Sequence, residues 1–269
     1  MQLLDGKSLS IKLLAELSLK VKKLPVAPIL DLILVGEDAP SLKYCEMKQK
    51  MGKSIGINGT LHHLAKANTE EIIDLVGKLN ISEKVTAFMI QLPLPKNLDT
   101  YKIINSINPA KDADGLTAVN LGRLFHRQEN AIISATPLGI MKLFEEYEIN
   151  LCGKNAVIIG RSPFIGLPLA AALMNNNATV SLCHSYSLNT KELCQKADII
   201  ISSTGKNNFI TKDFIKPGAI VVDVGREVDF DNVADKTSFI TPPIGGVGPM
   251  TVASLLANTV KIAYENSTF

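Results

Sequence analysis

The stretch AVIIGRSPFIGLP, from Ala156 to Pro168, carries the pattern on which the fold class of this chain depends. An apolar run rich in β-branched residues leads into a turn that begins at Gly160, and helix-forming residues follow Gly166. A strand that passes through such a turn into a helix is typical of a βαβ unit. Because the glycine spacing is not the common GxGxxG, a plain strand-to-helix turn explains the pattern as well as a phosphate-binding loop does.

The same alternation of strand and helix signals extends outward in both directions, which predicts parallel sheets built from βα units. In the second half, apolar runs predict strands at 156–159, 178–183, 198–202 and 219–223. In the first half, strands are predicted at 28–35, 57–63 and 86–92, and helices at 8–24, 40–52 and 69–79. Thr136 is predicted to cap a helix over 137–147, and a last helix is predicted from Thr251 to about Glu265.

The bulk composition is that of an ordinary globular protein. The chain has 269 residues, of which 46% are hydrophobic and 20% charged, enough for one or two domains. The net charge of +2 and the lack of a basic run argue against a nucleic-acid partner, and no apolar stretch is long enough to span a membrane. The start of the chain does not have the pattern of a secretory signal.

The cysteines and histidines do not have the spacing of metal ligands. The four cysteines include no CxxC pair, and the four histidines form no ligand motif with them. We therefore expect reduced thiols in a cytoplasmic protein, and no metal site.

Three polar side chains are predicted to share one face of the helix over 40–52. Ser41, Tyr44 and Lys48 follow a buried strand at the spacing i, i+3, i+7. Open α/β sheets bind ligands at the carboxyl ends of their strands, so these side chains are candidates for a binding site. Taken by itself the pattern fits a solvated helix better, since most lysines are solvated.

The region around Gly160 favours NADP over NAD. An NAD site usually has an acid at the end of the second strand, but here that strand ends in LCHS over 182–185. Arg161 lies in the glycine turn and suits a 2′-phosphate. The segments 198–205 and 221–225 also end in glycine, as expected either for close approach of a flat ligand or for tight turns.

The chain resembles the bifunctional methylenetetrahydrofolate dehydrogenase/cyclohydrolase family over nearly its whole length, through short sequence strings that occur in the family's order. QLPLP at 91–95 and GGVGPMT at 245–251 are the most specific of these strings. The others are LDGK at 4–7, VGEDAPS at 35–41, KDADGL at 111–116, TP at 136–137, GRS at 160–162, CHS at 183–185 and DVG at 223–225.

The resemblance implies two reactions on one folate. NADP would oxidise 5,10-methylenetetrahydrofolate to the 5,10-methenyl cation, which would then be hydrolysed to 10-formyltetrahydrofolate. It also implies a folate-binding catalytic domain over 1–134 plus 253–269, an NADP-binding Rossmann-like domain over 135–252, an active-site cleft at their junction and a homodimer. The fold class is therefore α/β, with two α/β domains of which the second has a Rossmann-like parallel sheet.

The resemblance also implies which residues form the sites. The expected catalytic residues are Tyr44, Lys48, Gln91 and Asp114. The expected substrate-binding residues are Ser41, Tyr44, Gln91, Leu92, Pro93, Asp114, Gly246 and Pro249. The expected cofactor-binding residues are Gly160, Arg161, Ser162, Ser185, Thr204, Gly205 and Arg226.

The chemistry of the four catalytic candidates suits these reactions. A lysine amine, here Lys48, can transfer protons if burial lowers its pKa. Gln91 cannot titrate, so it would orient Lys48 or the attacked carbon. Tyr44 offers a flat face to the pterin, and Asp114 can accept from the pterin N–H groups. For Asp114 alone, stabilisation of a turn before glycine is the simpler explanation.

The chain departs from the family pattern after Gly225. A hairpin common in the family is missing, and Arg226 follows at once where an apolar residue is expected. Ser134 stands where the family commonly has proline, and Pro243-Ile244 where it commonly has valine-proline.

Alternative functions are a monofunctional dehydrogenase, a non-catalytic folate- or nucleotide-binding module, or a two-domain dehydrogenase acting on a small acid.

Overall fold

The structure, a computed structural model, describes residues 1–267. Its contacts divide the chain into two compact units. One unit comprises Met1–Ile11, Leu124–Glu129 and Thr136–Ser254, and the other comprises Lys12–Arg123, Asn130–Ala135 and the segment from Leu255. This division by contacts assigns the first eleven residues to the same unit as the second half of the chain. The functional boundaries given above stay a prediction.

Strands and helices alternate along the chain. The strands are β1 (Gln2–Leu3), β2 (Leu30–Val35), β3 (Leu61–Leu64), β4 (Ala87–Ile90), β5 (Asn155–Ile159), β6 (Thr179–Cys183), β7 (Ile199–Ser202), β8 (Ala219–Asp223) and β9 (Thr237–Ile240). The helices are α1 (Gly6–Val21), α2 (Ala39–Ser54), α3 (Thr69–Ile81), α4 (Thr100–Asn105), α5 (Ala118–Phe125), α6 (Ala135–Glu146), α7 (Gly166–Asn175), α8 (Thr190–Lys196), α9 (Phe230–Val233) and α10 (Val247–Ser267).

A six-stranded parallel sheet forms the centre of the unit that contains the second half of the chain. Its strand order is β1-β9-β8-β7-β5-β6, and every pairing in it is parallel. β7 and β8 are buried along their whole length, as expected for strands covered on both faces. The predicted α/β fold with a Rossmann-like parallel sheet is confirmed.

A three-stranded parallel sheet, in the order β3-β2-β4, forms the centre of the other unit. Its first strand lies in the middle, with the second strand on one side and the third on the other. The strands β6, β5 and β7 of the larger sheet repeat this arrangement. In such sheets the connections leave the first strand in opposite directions, and a crevice opens at the carboxyl end of that strand.

Several predicted boundaries are wrong for local reasons. The helix predicted over 8–24 ends at Val21, and the chain continues in a turn in which Lys23 and Leu24 donate to the carbonyls of Lys20 and Val21 at 3.0 and 3.1 Å. The strand predicted from residue 57 begins at Leu61. Thr136 lies inside α6 instead of capping it, and its Oγ1 lies 3.0 Å from Oγ1 of Thr251.

No strand is predicted from the sequence at β1 or β9, and no helix at α4, α5, α8 or α9. They are short, and β1 is exposed, so neither length nor alternation marked them. β1 pairs with β9 across more than 230 positions of sequence, through Gln2 with Phe239 and Leu3 with Ile240. A pairing between such distant segments has no local signal.

Within residues 1–267, no helix has both the length and the hydropathy needed to cross a membrane. The same described range contains no group of three or more His, Cys, Asp or Glu side chains arranged to hold a metal ion.

Gly59 is expected to be one of the least replaceable residues of the small sheet. A Cβ atom there would lie 1.7 Å from the carbonyl oxygen of Leu30, at the start of β2. Gly59→Ala should therefore lower the free energy of unfolding by roughly 3 kcal/mol, measured by urea denaturation. Gly77→Ala is the matched control: its Cβ would meet nothing within 4 Å on α3, so it should raise stability by roughly 0.5–1 kcal/mol. Equal effects of the two changes would contradict this assignment.

Candidate active site

A buried lysine–glutamine pair lies beside the carboxyl ends of β2 and β4. Lys48 comes from α2, which follows β2, and Gln91 follows β4 directly. The Nζ atom of Lys48 donates to Oε1 of Gln91 at 2.9 Å. The side chains are 4% and 8% exposed, so this contact is made away from bulk water. The structure thus brings together two of the residues predicted to be catalytic.

The amide of Gln91 has a single orientation that satisfies its neighbours. Its Nε2 donates to the carbonyl of Leu92 at 2.6 Å, while Oε1 faces Lys48 and the thiol of Cys45, whose Sγ lies 3.7 Å away. Its backbone N–H donates to Ile33 at 2.8 Å and so continues the pairing of β4 with β2. A flipped amide would point its N–H groups at the Lys48 amine, so the carbonyl oxygen is the atom offered to Lys48.

The groups in direct contact with the amine of Lys48 carry no full charge. Besides Gln91, it lies 3.3 Å from Sδ of Met89 and 4.8 Å from the centre of the Tyr44 ring. Burial lowers the pKa of Lys48, while the nearby Asp114 carboxylate opposes that shift. A lysine with a lowered pKa has a neutral fraction that can accept a proton, as a general base must.

The turn that carries Asp114 is held by buried polar groups. The Asp112 carboxylate accepts from the Thr117 N–H at 2.9 Å and from Nδ2 of Asn120 at 3.0 Å. Asn258 of α10 donates from Nδ2 to the carbonyl of Ala113 at 2.9 Å. These bonds fix the backbone on both sides of Asp114, so the turn is preorganised.

The titration of Asp114 is coupled to its neighbours. Burial raises the pKa of Asp114 to about 6, against the opposing attraction of Lys48 and with a smaller contribution from Asp112. Burial, and then the Asp114 charge, raises the pKa of Tyr44 to about 12, so the phenol stays protonated at neutral pH. The Asp114 carboxylate thus acts on the pKa of Lys48 and of Tyr44, raising both.

Ser41, Leu92 and Pro93 lie in the same unit as this cluster. Ser41 is buried in the first turn of α2, where its backbone N–H donates to the N-cap Asp38 at 2.9 Å. The Leu92–Pro93 peptide bond is cis. Gly246 and Pro249 belong to the other unit, at the start of α10, and Pro249 occupies the first helical turn.

A separate cavity of about 320 Å³ lies at the carboxyl ends of β5, β6 and β7. This is the crevice where the larger sheet changes its direction of winding, the place where open α/β sheets bind nucleotides. The lining residues are Ile159, Gly160, Arg161, His184, Ser185, Thr190, Ser203, Thr204, Lys206 and Phe209. Arg161 and Lys206 are cationic and no carboxylate lines the cavity, which suits a polyanion.

The two glycines of the turn after β5 are required by close backbone approach. A Cβ on Gly160 would lie 2.2 Å from the carbonyl oxygen of Ser203, and one on Gly166 would lie 2.1 Å from that of Gly160. Gly166 is the first residue of α7, whose N-cap makes no side-chain hydrogen bond. In this first turn the Leu167 N–H donates to the carbonyl of Ser162 at 3.0 Å and Pro168 has no N–H, so the N–H of Gly166 is the one suited to a phosphate. These residues fit an NADP cofactor.

The structure separates the predicted cofactor residues into two groups. Gly160, Arg161, Ser185 and Thr204 line the cavity. Ser162, Gly205 and Arg226 are not among its lining residues.

Several residues that shape the two sites were missed by the sequence reasoning: Cys45, Met89, Thr190, Lys206, Phe209 and Glu227. Cys45 lies three positions before Lys48 on α2, so helical spacing was an available signal. The others are brought to their places by strands that are distant in sequence, and their residue types have many ordinary roles.

Comparison with known proteins covers both units. The model of the tetrahydrofolate dehydrogenase/cyclohydrolase catalytic domain matches residues 4–114, and the model of the NAD(P)-binding domain of the same family matches residues 134–267. The bifunctional protein FolD of Campylobacter hominis is 46% identical over 278 aligned positions, which cover 98% of this chain and 97% of that protein.

Two solved structures that are similar to this chain belong to the same family. A crystal structure of the FolD methylenetetrahydrofolate dehydrogenase/cyclohydrolase from Campylobacter jejuni has a TM-score of 0.97 at 41% identity and covers 99% of both chains. The Trypanosoma brucei enzyme, complexed with NADP and an inhibitor, has a TM-score of 0.92 at 30% identity and covers 98% of this chain and 97% of that one.

Replacing Asp114 should stabilise the protein at neutral pH. The pKa of Asp114 is about 6 in the folded state, above its ordinary value of 3.8. The folded state therefore favours the protonated carboxyl, and the free energy of unfolding of the wild type decreases as the pH rises from about 4 to above 6. Asp114→Asn cannot ionise. Its stability relative to the wild type should increase from pH 4 to pH 7, by at most about 3 kcal/mol because the side chain is only partly shielded from solvent.

Urea denaturation of both proteins at several pH values measures this difference. A difference that stays constant between pH 4 and pH 7 would contradict the raised pKa of Asp114.

Proposed function

Since the chain belongs to the tetrahydrofolate dehydrogenase/cyclohydrolase family, we propose that it oxidises 5,10-methylenetetrahydrofolate with NADP and hydrolyses the resulting 5,10-methenyl cation to 10-formyltetrahydrofolate. The observation that carries this proposal is the buried contact between Lys48 and Gln91. An amine with a lowered pKa, held by an amide and accompanied by Tyr44 and Asp114, suits proton transfer next to a cationic folate.

In the hydrolytic step, water attacks the methenyl carbon and the neutral amine of Lys48 takes the proton that water loses. The carbinol formed in this way then loses its hydroxyl proton as the bond from that carbon to N5 breaks, N5 takes up one proton and the formyl group remains on N10, so that one proton is released to solvent overall. Gln91 fixes the position of the Lys48 amine through its Oε1 atom. Because the substrate is a cation, it further disfavours the protonated form of Lys48 when it binds nearby.

Folate binding is assigned to Tyr44 and Asp114, with Ser41, Leu92 and Pro93 as further contacts. A role for Gly246 and Pro249 in folate binding stays a prediction. The Tyr44 ring would stack on the pterin, and the Asp114 carboxylate would accept from the pterin N–H groups. The pKa of about 6 leaves Asp114 largely ionised at neutral pH, so it can act as an acceptor.

The cofactor site is assigned to the cavity at the carboxyl ends of β5, β6 and β7. When bound there, NADP supplies the oxidant of the first reaction. Gly160 lines the cavity and, lacking a Cβ, accommodates the Ser203 carbonyl, while the N-terminus of α7 favours the charge of the pyrophosphate. Arg161 and Ser185, both lining the cavity, would hold the 2′-phosphate. Roles in cofactor binding for Ser162, Thr204, Gly205 and Arg226 stay predictions.

We also propose that the protein is a cytoplasmic homodimer. Its four cysteines are all free thiols, which fits a reducing compartment. β6 forms an edge of the six-stranded sheet, and three of its residues are only partly buried, so this edge is available for pairing.

A monofunctional dehydrogenase is the second candidate, and a non-catalytic folate-binding module the third. Only the hydrolytic step needs a base for water, and the intact Lys48–Gln91 pair therefore favours the bifunctional enzyme. Accumulation of the methenyl cation without hydrolysis would support the monofunctional alternative, and absence of both reactions would support the binding module.

Lys48→Met should abolish hydrolysis of the methenyl cation while the protein remains folded. The change removes the proton acceptor but keeps an unbranched apolar stem, so we expect the cyclohydrolase rate to fall by roughly 10²–10⁴-fold. The decay of methenyl absorbance measures this rate. Lys50→Met, at an exposed position of the same helix, is the matched control and should retain full activity. A Lys48→Met enzyme that hydrolyses at the wild-type rate would overturn the assignment.

Arg161→Gln should weaken the preference for NADP. The change removes the cation proposed to pair with the 2′-phosphate, so kcat/KM for NADP should fall by about 10–100-fold while that for NAD changes little. Steady-state dehydrogenase assays with each cofactor give the ratio. Lys154→Gln, at an exposed position just before β5, is the control for a simple loss of positive charge. An unchanged ratio for Arg161→Gln, or tighter NAD than NADP binding by the wild type, would contradict the proposal.

A further inference from the structure

A buried carboxylate lies behind the cofactor cavity, in the segment that follows β8. Glu227 is 2% exposed, which is unusual for a glutamate. We propose that Glu227 is a positioning residue for cofactor binding: its carboxylate fixes the turn after β7 that forms one wall of the cavity. The proposal deepens the proposed function and rests on it.

Four hydrogen bonds converge on this carboxylate from one short segment. The Oε2 atom accepts from the Ser202 hydroxyl, from the Thr204 N–H at 2.6 Å and from the Thr204 hydroxyl at 2.9 Å. The Oε1 atom accepts from the Gly205 N–H at 2.7 Å. A carboxylate that accepts several such bonds is stabilised without a basic partner, and breaking one of them leaves a buried group unsatisfied.

The segment held by Glu227 is part of the cavity itself. Ser203, Thr204 and Lys206 line the cavity, while the N–H groups of Thr204 and Gly205 are committed to Glu227. The carbonyl oxygen of Ser203 also packs on Gly160, where even a methyl group would not fit. Movement of the Ser203 backbone would therefore alter the space at the glycine turn on the opposite wall.

The connection after β8 is folded so that Glu227 points inward. The Asp223 carboxylate accepts from the N–H groups of Gly225, Glu227 and Val228 at 3.1, 2.8 and 3.1 Å. Arg226 has a φ of 64°, in the left-handed region, and its side chain is exposed. In this connection the side chain of Glu227 contacts the turn after β7, while the side chain of Arg226 is exposed.

Glu227→Gln tests the role of the carboxylate with almost no change of volume. The amide offers one acceptor oxygen, while its NH₂ group must face a donor in the 202–205 segment. We expect the Kd for NADP, measured by calorimetric titration, to rise about tenfold, and the KM for NADP to rise with it. The KM for the folate and the cyclohydrolase rate, which depend on residues of the other unit, should stay at the wild-type values.

Asp198→Asn is the matched control. Asp198 lies directly before the start of β7, and the segment held by Glu227 lies at the end of this strand. The Asp198 carboxylate accepts from Lys216 at 2.6 Å and from the Asn155 N–H at 2.8 Å, just before β7. Its loss should affect thermal unfolding but leave the Kd for NADP unchanged. Ser202→Ala is a milder second variant, which removes one of the four donors to Glu227; we expect it to raise the Kd about threefold.

The outcomes separate this inference from the proposed function. If the wild type catalyses both reactions while folded Glu227→Gln and Ser202→Ala bind NADP as the wild type does, the positioning role is overturned. If Glu227→Gln does not fold, the Kd of Ser202→Ala decides. If the wild type binds NADP and Glu227→Gln weakens that binding, but neither reaction is observed, the proposed function fails and the positioning role stands.

Discussion

The hydrogen bond from Lys48 to Gln91 is the contact on which the folate site depends. A lysine amine in a buried place with neutral partners has a lowered pKa, because burial disfavours the charged form. The sulfur of Met89 and the ring of Tyr44 contact the amine and carry no full charge. The Asp114 carboxylate is negatively charged, but its effect on the pKa of Lys48 is smaller than that of burial. The arrangement keeps an amine that would be permanently charged in water available for proton transfer.

In both sites, the strand order of a parallel sheet brings together side chains from distant parts of the chain. In each unit the first strand of a parallel sheet lies between the second and the third, so the connections diverge at its carboxyl end. The Lys48–Gln91 pair lies beside such a point in the small sheet, and the nucleotide cavity lies at the equivalent point of the larger one. Parallel pairing and the order of winding therefore decide where chemistry is possible in this fold.

Buried carboxylates act as scaffolds for the turns at these points. Asp112 holds the turn that presents Asp114, and Glu227 holds the turn after β7, each by accepting backbone N–H groups. The side chains presented to ligand are then preorganised by groups that do not themselves reach the ligand. Substitution at such a residue is expected to change binding before it changes chemistry.

The sequence by itself determined the parallel α/β class, most strands, the family and the catalytic candidates, because hydrophobic periodicity and short ordered strings are local signals. It did not predict the pairing of β1 with β9, the place of Thr136 inside α6, or the contacts of Met89 and Cys45 with the Lys48–Gln91 pair. It also singled out Arg226, where the tertiary structure places Glu227 against the cavity wall. The reason is physical: burial, the pKa values that follow from it and the partners of a carboxylate depend on segments far apart in sequence, which only the folded chain brings together.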